Sequence, residues 1–169
     1  MERLNAGRIA NVEPRVTSLE RVPPAPPSDT YGEIEHVSVN FDDLDPYGMV
    51  YAPRFLILFD RAFNRMLERL VPGFSPLDPA YMAVIREVTI TYHAPFAGLG
   101  TARIQTWVDL VGRTSAQWSH RFWSNDGQIV HAEARRTLVH LDPVTRLPSP
   151  WTEADREGMT KLMRQSDSP

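Results

Sequence analysis

Three carboxylates fall within four residues in Phe41-Asp42-Asp43-Leu44-Asp45-Pro46-Tyr47-Gly48, just ahead of an apolar stretch. A carboxylate so placed can act as a nucleophile or a general base, and a helix amino terminus nearby would offer amide donors and positive potential to a developing oxyanion. Taken alone, Asp45-Pro46 reads first as the ordinary aspartate of a turn or cap, with Asp42 and Asp43 capping or solvating it. Asp60 stands inside the apolar stretch, where a carboxylate must be paired or open to a cavity, and Arg61 is the adjacent partner. Tyr47 and Tyr51 can donate hydrogen bonds or simply pack. Arg113, Arg135 and Arg136 suit phosphate oxygens, or are surface charge. Thr114 and Ser115 can assist such a contact or close a turn. The histidines at 36, 93, 120, 131 and 140 show no metal-ligand spacing, so neither a metal nor another cofactor is expected. Gly98-Leu99-Gly100 is too short a pattern for a phosphate loop and reads as a turn between strands.

The elements that must hold these residues follow from periodicity. Val37, Val39 and Phe41 alternate over 33–41 as a strand with one face on a core. Between Pro53 and Leu70, Phe55, Phe59, Ala62, Phe63, Met66 and Leu70 recur every three or four residues, and Leu56, Leu58 and Leu67 widen the apolar surface. That pattern predicts a mostly buried helix, opened by Pro53 and ended by Pro72-Gly73. Alternation over 82–93, 101–111 and 114–124 predicts three strands, and 128–141 returns from the tight turn Asn125-Asp126-Gly127. The last three strands are expected to form an antiparallel meander. Thr152 and Asp155 have the spacing of a helix start, so a short helix should follow. One helix that is apolar around most of its circumference needs a sheet curved about it and a partner to cover the rest.

The chain has 169 residues, 42% hydrophobic and 23% charged, which suits one core. The expected division is a Pro-rich extension over 1–30, one domain over 31–150, and a terminal helix and tail over 151–169. A formal net charge of −3 lacks the positive field of non-specific nucleic-acid binding, so no nucleic-acid partner is expected. There is no cysteine, which removes disulfides and thiolate chemistry and fits a reducing compartment. Nor does the sequence have an apolar run of membrane-spanning length or a signal-peptide pattern; a cytoplasmic protein with no membrane partner is expected.

The run from Phe41 through Asp45-Pro46-Tyr47-Gly48-Met49-Val50-Tyr51-Ala52-Pro53 to Phe55 closely resembles the signature of hydroxybenzoyl-coenzyme A thioesterase-like proteins. The likeness extends more loosely over 33–141, including Gly112-Arg113-Thr114-Ser115. The resemblance implies an α+β hotdog fold, an antiparallel sheet wrapped around a long central helix, paired with a second copy and commonly assembled further to a tetramer. It implies an acyl thioester of coenzyme A or acyl carrier protein as substrate and partner, not a bound cofactor. Asp45 would attack the thioester or orient water, the amide near Ala52 would hold the oxyanion, and Gly48 would let the backbone come close. Tyr47, Tyr51, Asp60, Arg113, Thr114 and Ser115 are the expected substrate contacts. Two rivals stand beside hydrolysis: a non-catalytic acyl-thioester-binding protein, and hydratase or dehydratase chemistry. Related branches use a helix-borne histidine and acid for the latter, and 53–70 contains no histidine.

Overall fold

Proline suits a first helical turn because its φ is preset and its missing amide costs no hydrogen bond there. In the computed structural model, which describes residues 31–164, the central helix α1 spans Arg54–Leu70, and Pro53 has already turned helical at φ −65° and ψ −22°. Phe55, Leu58, Phe59, Ala62 and Met66 form its buried stripe. Each such large side chain contributes about 1.5 to 3 kcal/mol on burial. The stripe is narrower than the helix composition suggests, since Ile57 and Leu70 are each 39% exposed.

Five strands curve around this helix: β1 at Glu33–Val39, β2 at Ala83–Tyr92, β3 at Gly100–Val111, β4 at Ser115–Ser124 and β5 at Val130–His140. They form one antiparallel sheet in the order β1-β3-β4-β5-β2. The expected meander is β3-β4-β5. Its second turn is held by Gly127 at φ +75° and by the Asp126 carboxylate, which accepts the Gln128 amide at 3.0 Å. Val37, Val39, Ala102, Ile104, Phe122, Ala132 and Ala134 close on Phe55, Leu58, Phe59 and Ala62 in the main core.

The carboxyl-terminal helix α2, Glu153–Lys161, starts where the spacing predicts, with the Asp155 amide donating to Thr152 Oγ1 at 3.1 Å. Met159 and Leu162 join Met66, Val108 and Trp118 in a second buried cluster, so this helix belongs to the body of the domain. The expected extension over 1–30 and the last five residues, 165–169, lie outside the described residues.

The two edges of the sheet differ. Along β1, Arg65 of α1 donates to the His36 carbonyl at 3.0 Å, and Arg69 reaches Glu35 and Glu33 at 2.6 and 3.0 Å. Beyond its pairing with β5, β2 has no strand neighbour among the described residues, and Val84, Ile85, Val88 and Tyr92 stand 36 to 48% exposed.

Candidate active site

Between β1 and α1 the chain must reverse within a few residues, and the turn is built from its own backbone. The Asp45 amide donates to Met49 O at 2.7 Å and the Gly48 amide to Asp45 O at 3.0 Å. Gly48 sits at φ +75°, where a side chain would be strained, although a Cβ there would meet nothing within 4 Å. Within the chain, conformation is what asks for glycine at this position. The turn is stitched to the segment entering β3 by Val50 N to Phe96 O (2.9 Å) and Gly98 N to Gly48 O (2.8 Å).

This frame fixes one side chain closely. Pro46 has no amide to give, so Asp45 Oδ1 accepts the amides of Tyr47 at 2.8 Å and Met49 at 3.1 Å. One carboxylate oxygen is anchored, while Oδ2 has no hydrogen-bond partner among the described residues. Seven residues on, Ala52 lies exposed in the first turn before α1. The carbonyls of Tyr51 and Ala52 accept the Arg54 and Phe55 amides, and Tyr92 donates its hydroxyl to Ala52 O at 2.9 Å. The Ala52 amide itself donates to none of the described residues. A carboxylate oxygen and a helix-start amide are thus both left open, the pair that acyl transfer requires.

The neighbouring acids have other duties. Asp43 is fully buried, accepts the Asn40 amide at 2.9 Å and pairs with Arg61 at 3.3 Å, tying the turn to α1. Asp42 faces Arg54 across 3.8 Å at the surface. Tyr47 and Tyr51 flank the turn with 84 and 54% of their surface exposed, so neither is a core residue in a single chain.

Asp60 is paired as expected, but with Arg136 of β5 and not with Arg61. Adjacent residues on a helix point about 100° apart, which leaves Arg61 to Asp43. Arg136 is read from sequence as surface charge or a phosphate contact, yet it is 3% exposed beneath α1. The alternation of β5 explains this, because 132, 134, 136 and 138 share the inner face. Its guanidinium lies 4.2 Å over the Phe63 ring, and burial lowers its pKa despite Asp60. His120, fully buried nearby, shares a 2.9 Å hydrogen bond with Thr106 Oγ1. Burial first, and the Arg136 charge second, hold the His120 pKa well below the usual imidazole range. Sequence reasoning does not find this inner polar group, although the inward phase of 120 and 136 was readable.

The structure does not bring every expected contact together in one chain. Val39 pairs with Gly100, so Asp45 lies at the start of β3, whereas Arg113, Thr114 and Ser115 lie in the turn beyond Val111. A strand of that length separates the two groups by about 35 Å. The far turn is closed by Gly112 N to Ser115 O (2.8 Å) and His140 N to Thr114 O (2.9 Å). Two surface hollows of about 400 and 380 Å³ are lined by other residues, and neither reaches Asp45.

The family model described as the thioesterase-like superfamily matches residues 39–159. The acyl-CoA thioester hydrolase YbgC of Escherichia coli is 27% identical over 113 residues, covering 66% of this chain and 84% of that protein. A protein from Pseudomonas aeruginosa shares the fold with a TM-score of 0.74 at 21% identity, over 82% of this chain and 96% of its own. A thioesterase from Thermus thermophilus, crystallised with coenzyme A and zinc, gives a TM-score of 0.68 at 25% identity, over 80% of this chain and 97% of that one.

Proposed function

This chain belongs to the thioesterase-like superfamily, and from that premise we propose that it hydrolyses an acyl thioester of coenzyme A or acyl carrier protein to the free acid and thiol. The observation that carries the reading is the Asp45 turn, which anchors one carboxylate oxygen on two amides and leaves the other open near the unused Ala52 amide. Similarity to a protein named acyl-CoA thioester hydrolase, and to a thioesterase crystallised with coenzyme A, supports the substrate class.

The chemistry has two forms that share these groups. As general base, Asp45 takes a proton from water as its oxygen attacks the thioester carbon; the oxyanion rests on the Ala52 amide, and collapse expels the thiolate, which takes up the proton. As nucleophile, Asp45 forms a mixed anhydride with loss of thiolate, and water then cleaves the anhydride. Neither form calls for a metal or a cofactor.

The assembly is part of the same proposal. An unpaired, apolar edge strand invites a second copy, and antiparallel pairing of β2 with its twin would continue the sheet. The two-fold axis of that pairing reverses strand direction, so it carries the partner's Arg113, Thr114 and Ser115 to the end of the sheet where Asp45 lies. These three could then meet the phosphates of a thioester whose acyl end lies at Asp45. A tetramer of two such dimers and a cytoplasmic location complete the reading.

Thiol release from a panel of acyl-coenzyme A and carrier-bound thioesters tests it, and the absence of cysteine removes background from the protein itself. Turnover on at least one series is expected. No turnover on either would leave a binding protein, and water addition to an enoyl thioester without thiol release would point to hydratase chemistry.

A further inference from the structure

Ala52, Leu56 and Asp60 advance four residues at a time, so they stack along one side of α1 and its first turn. Across from them Tyr92, Ile90 and Val88 share the inner face of β2. Contacts fix both ends of the strip between these rows. At one end the Tyr92 hydroxyl meets the Ala52 carbonyl at 2.9 Å. At the other, Val88 is in register with Arg136, whose guanidinium reaches Asp60. Between them lie half-buried Leu56 and Ile90, so the middle is apolar.

The strip therefore runs from Ala52, the residue of the proposed oxyanion site, to a charged pair. The Asp60 side chain is 44% exposed, whereas that of Arg136 is 2% exposed and keeps Nε and Nη2 without a hydrogen-bond partner among the described residues. Eight residues of helical rise from Ala52 to Asp60 give about 12 Å, room for an acyl chain of about eight carbons.

We infer that the Asp60–Arg136 pair is the floor of the acyl cleft and limits the length of acyl chain the protein accepts. The inference rests on the thioester reading above, which puts the reacting carbonyl at Ala52. A methyl end pressed onto the pair strips water from Asp60 and offers no hydrogen bond in return. Shorter chains end on Leu56 and Ile90 and meet no such cost. Replacing the pair by apolar groups removes the barrier, and buried ion pairs tolerate such exchange when both partners go together.

The test is binding of non-hydrolysable S-alkyl-coenzyme A thioethers, from ethyl to tetradecyl, to the parent and to Asp60→Leu combined with Arg136→Met. In the parent, affinity should rise about fourfold per methylene and then fall once the chain passes about eight carbons. In the double variant the rise should continue past that length. Asp60→Glu, which keeps the counter-charge for Arg136 and lengthens the side chain at the floor, should move the break to shorter chains by about one carbon and serves where the double variant does not fold. A parent series with no break, or a break at the same length in the variants, overturns the inference. Turnover of the matching acyl-coenzyme A series keeps the two readings apart. A break in binding without hydrolysis leaves the floor and removes the enzyme, and hydrolysis across all lengths without a break does the reverse.

Discussion

The two edges of this sheet are finished by opposite means. Beside β1, the arginines at 61, 65 and 69 recur every four residues along α1 and fasten the helix to Asp43, the His36 carbonyl, Glu35 and Glu33. The β2 edge has no such fastening; it offers Val84, Ile85, Val88 and Tyr92 to the surroundings and leaves the Ala52-Leu56-Asp60 side of the helix open. An edge sealed by charge can stay in water, whereas an apolar edge with free backbone groups needs a neighbour. On the proposed reading, the β1 side of the helix serves stability alone, while the other side holds the Asp60–Arg136 pair and also meets substrate and partner.

The comparison breaks most visibly at β2. Val84→Glu with Ile85→Glu places like charges at the proposed twin edge, and the expected result in size-exclusion chromatography with light scattering is a folded monomer that has lost thioesterase turnover. A parent that is already monomeric and active would end the edge argument. On the sealed side, Arg61→Ala strands the buried Asp43 carboxylate and should cost about 3 kcal/mol in chemical denaturation. Asp60→Asn leaves Arg136 buried without its counter-charge and should cost a similar amount, about 3 kcal/mol. Arg69→Ala removes a pair that is half in water, so its cost should stay below about 1 kcal/mol.

Acid sharpens the same contrast from inside. His120 is held neutral by burial, with a folded-state pKa below its unfolded value of about 6.5. The unfolded chain therefore takes up this proton first, and stability should fall as pH drops below about 6.5. His120→Gln should flatten that part of the profile, measured as unfolding midpoint against pH.

Most of the fold was legible because its elements follow local periodicity. The helix from Arg54, the strand pattern, the Asn125-Asp126-Gly127 turn and the Thr152 cap all come from residues within a few positions of one another. The Asp45 turn was legible for the same reason, since the hydrogen bonds that Asp45 itself makes span four residues or fewer. What the sequence hides is tertiary. Asp60 and Arg136 are 76 positions apart and meet only because β5 lies inside β2 in the sheet order. Likewise, Arg113 and Asp45 look like members of one site until the register of β1 on β3 sends them to opposite ends. The exposure of β2 is equally invisible, because Val88, Ile90 and Tyr92 alternate just as they would in a covered strand.

The most direct test of the account is thiol release by Asp45→Ala, alongside the affinity of the same variant for an S-alkyl-coenzyme A thioether. The account predicts that turnover falls about a thousandfold, within the range for loss of a general base, while thioether affinity and oligomeric state stay near the parent's. Turnover at the parental rate in a folded Asp45→Ala protein would contradict it and move the chemistry away from this turn.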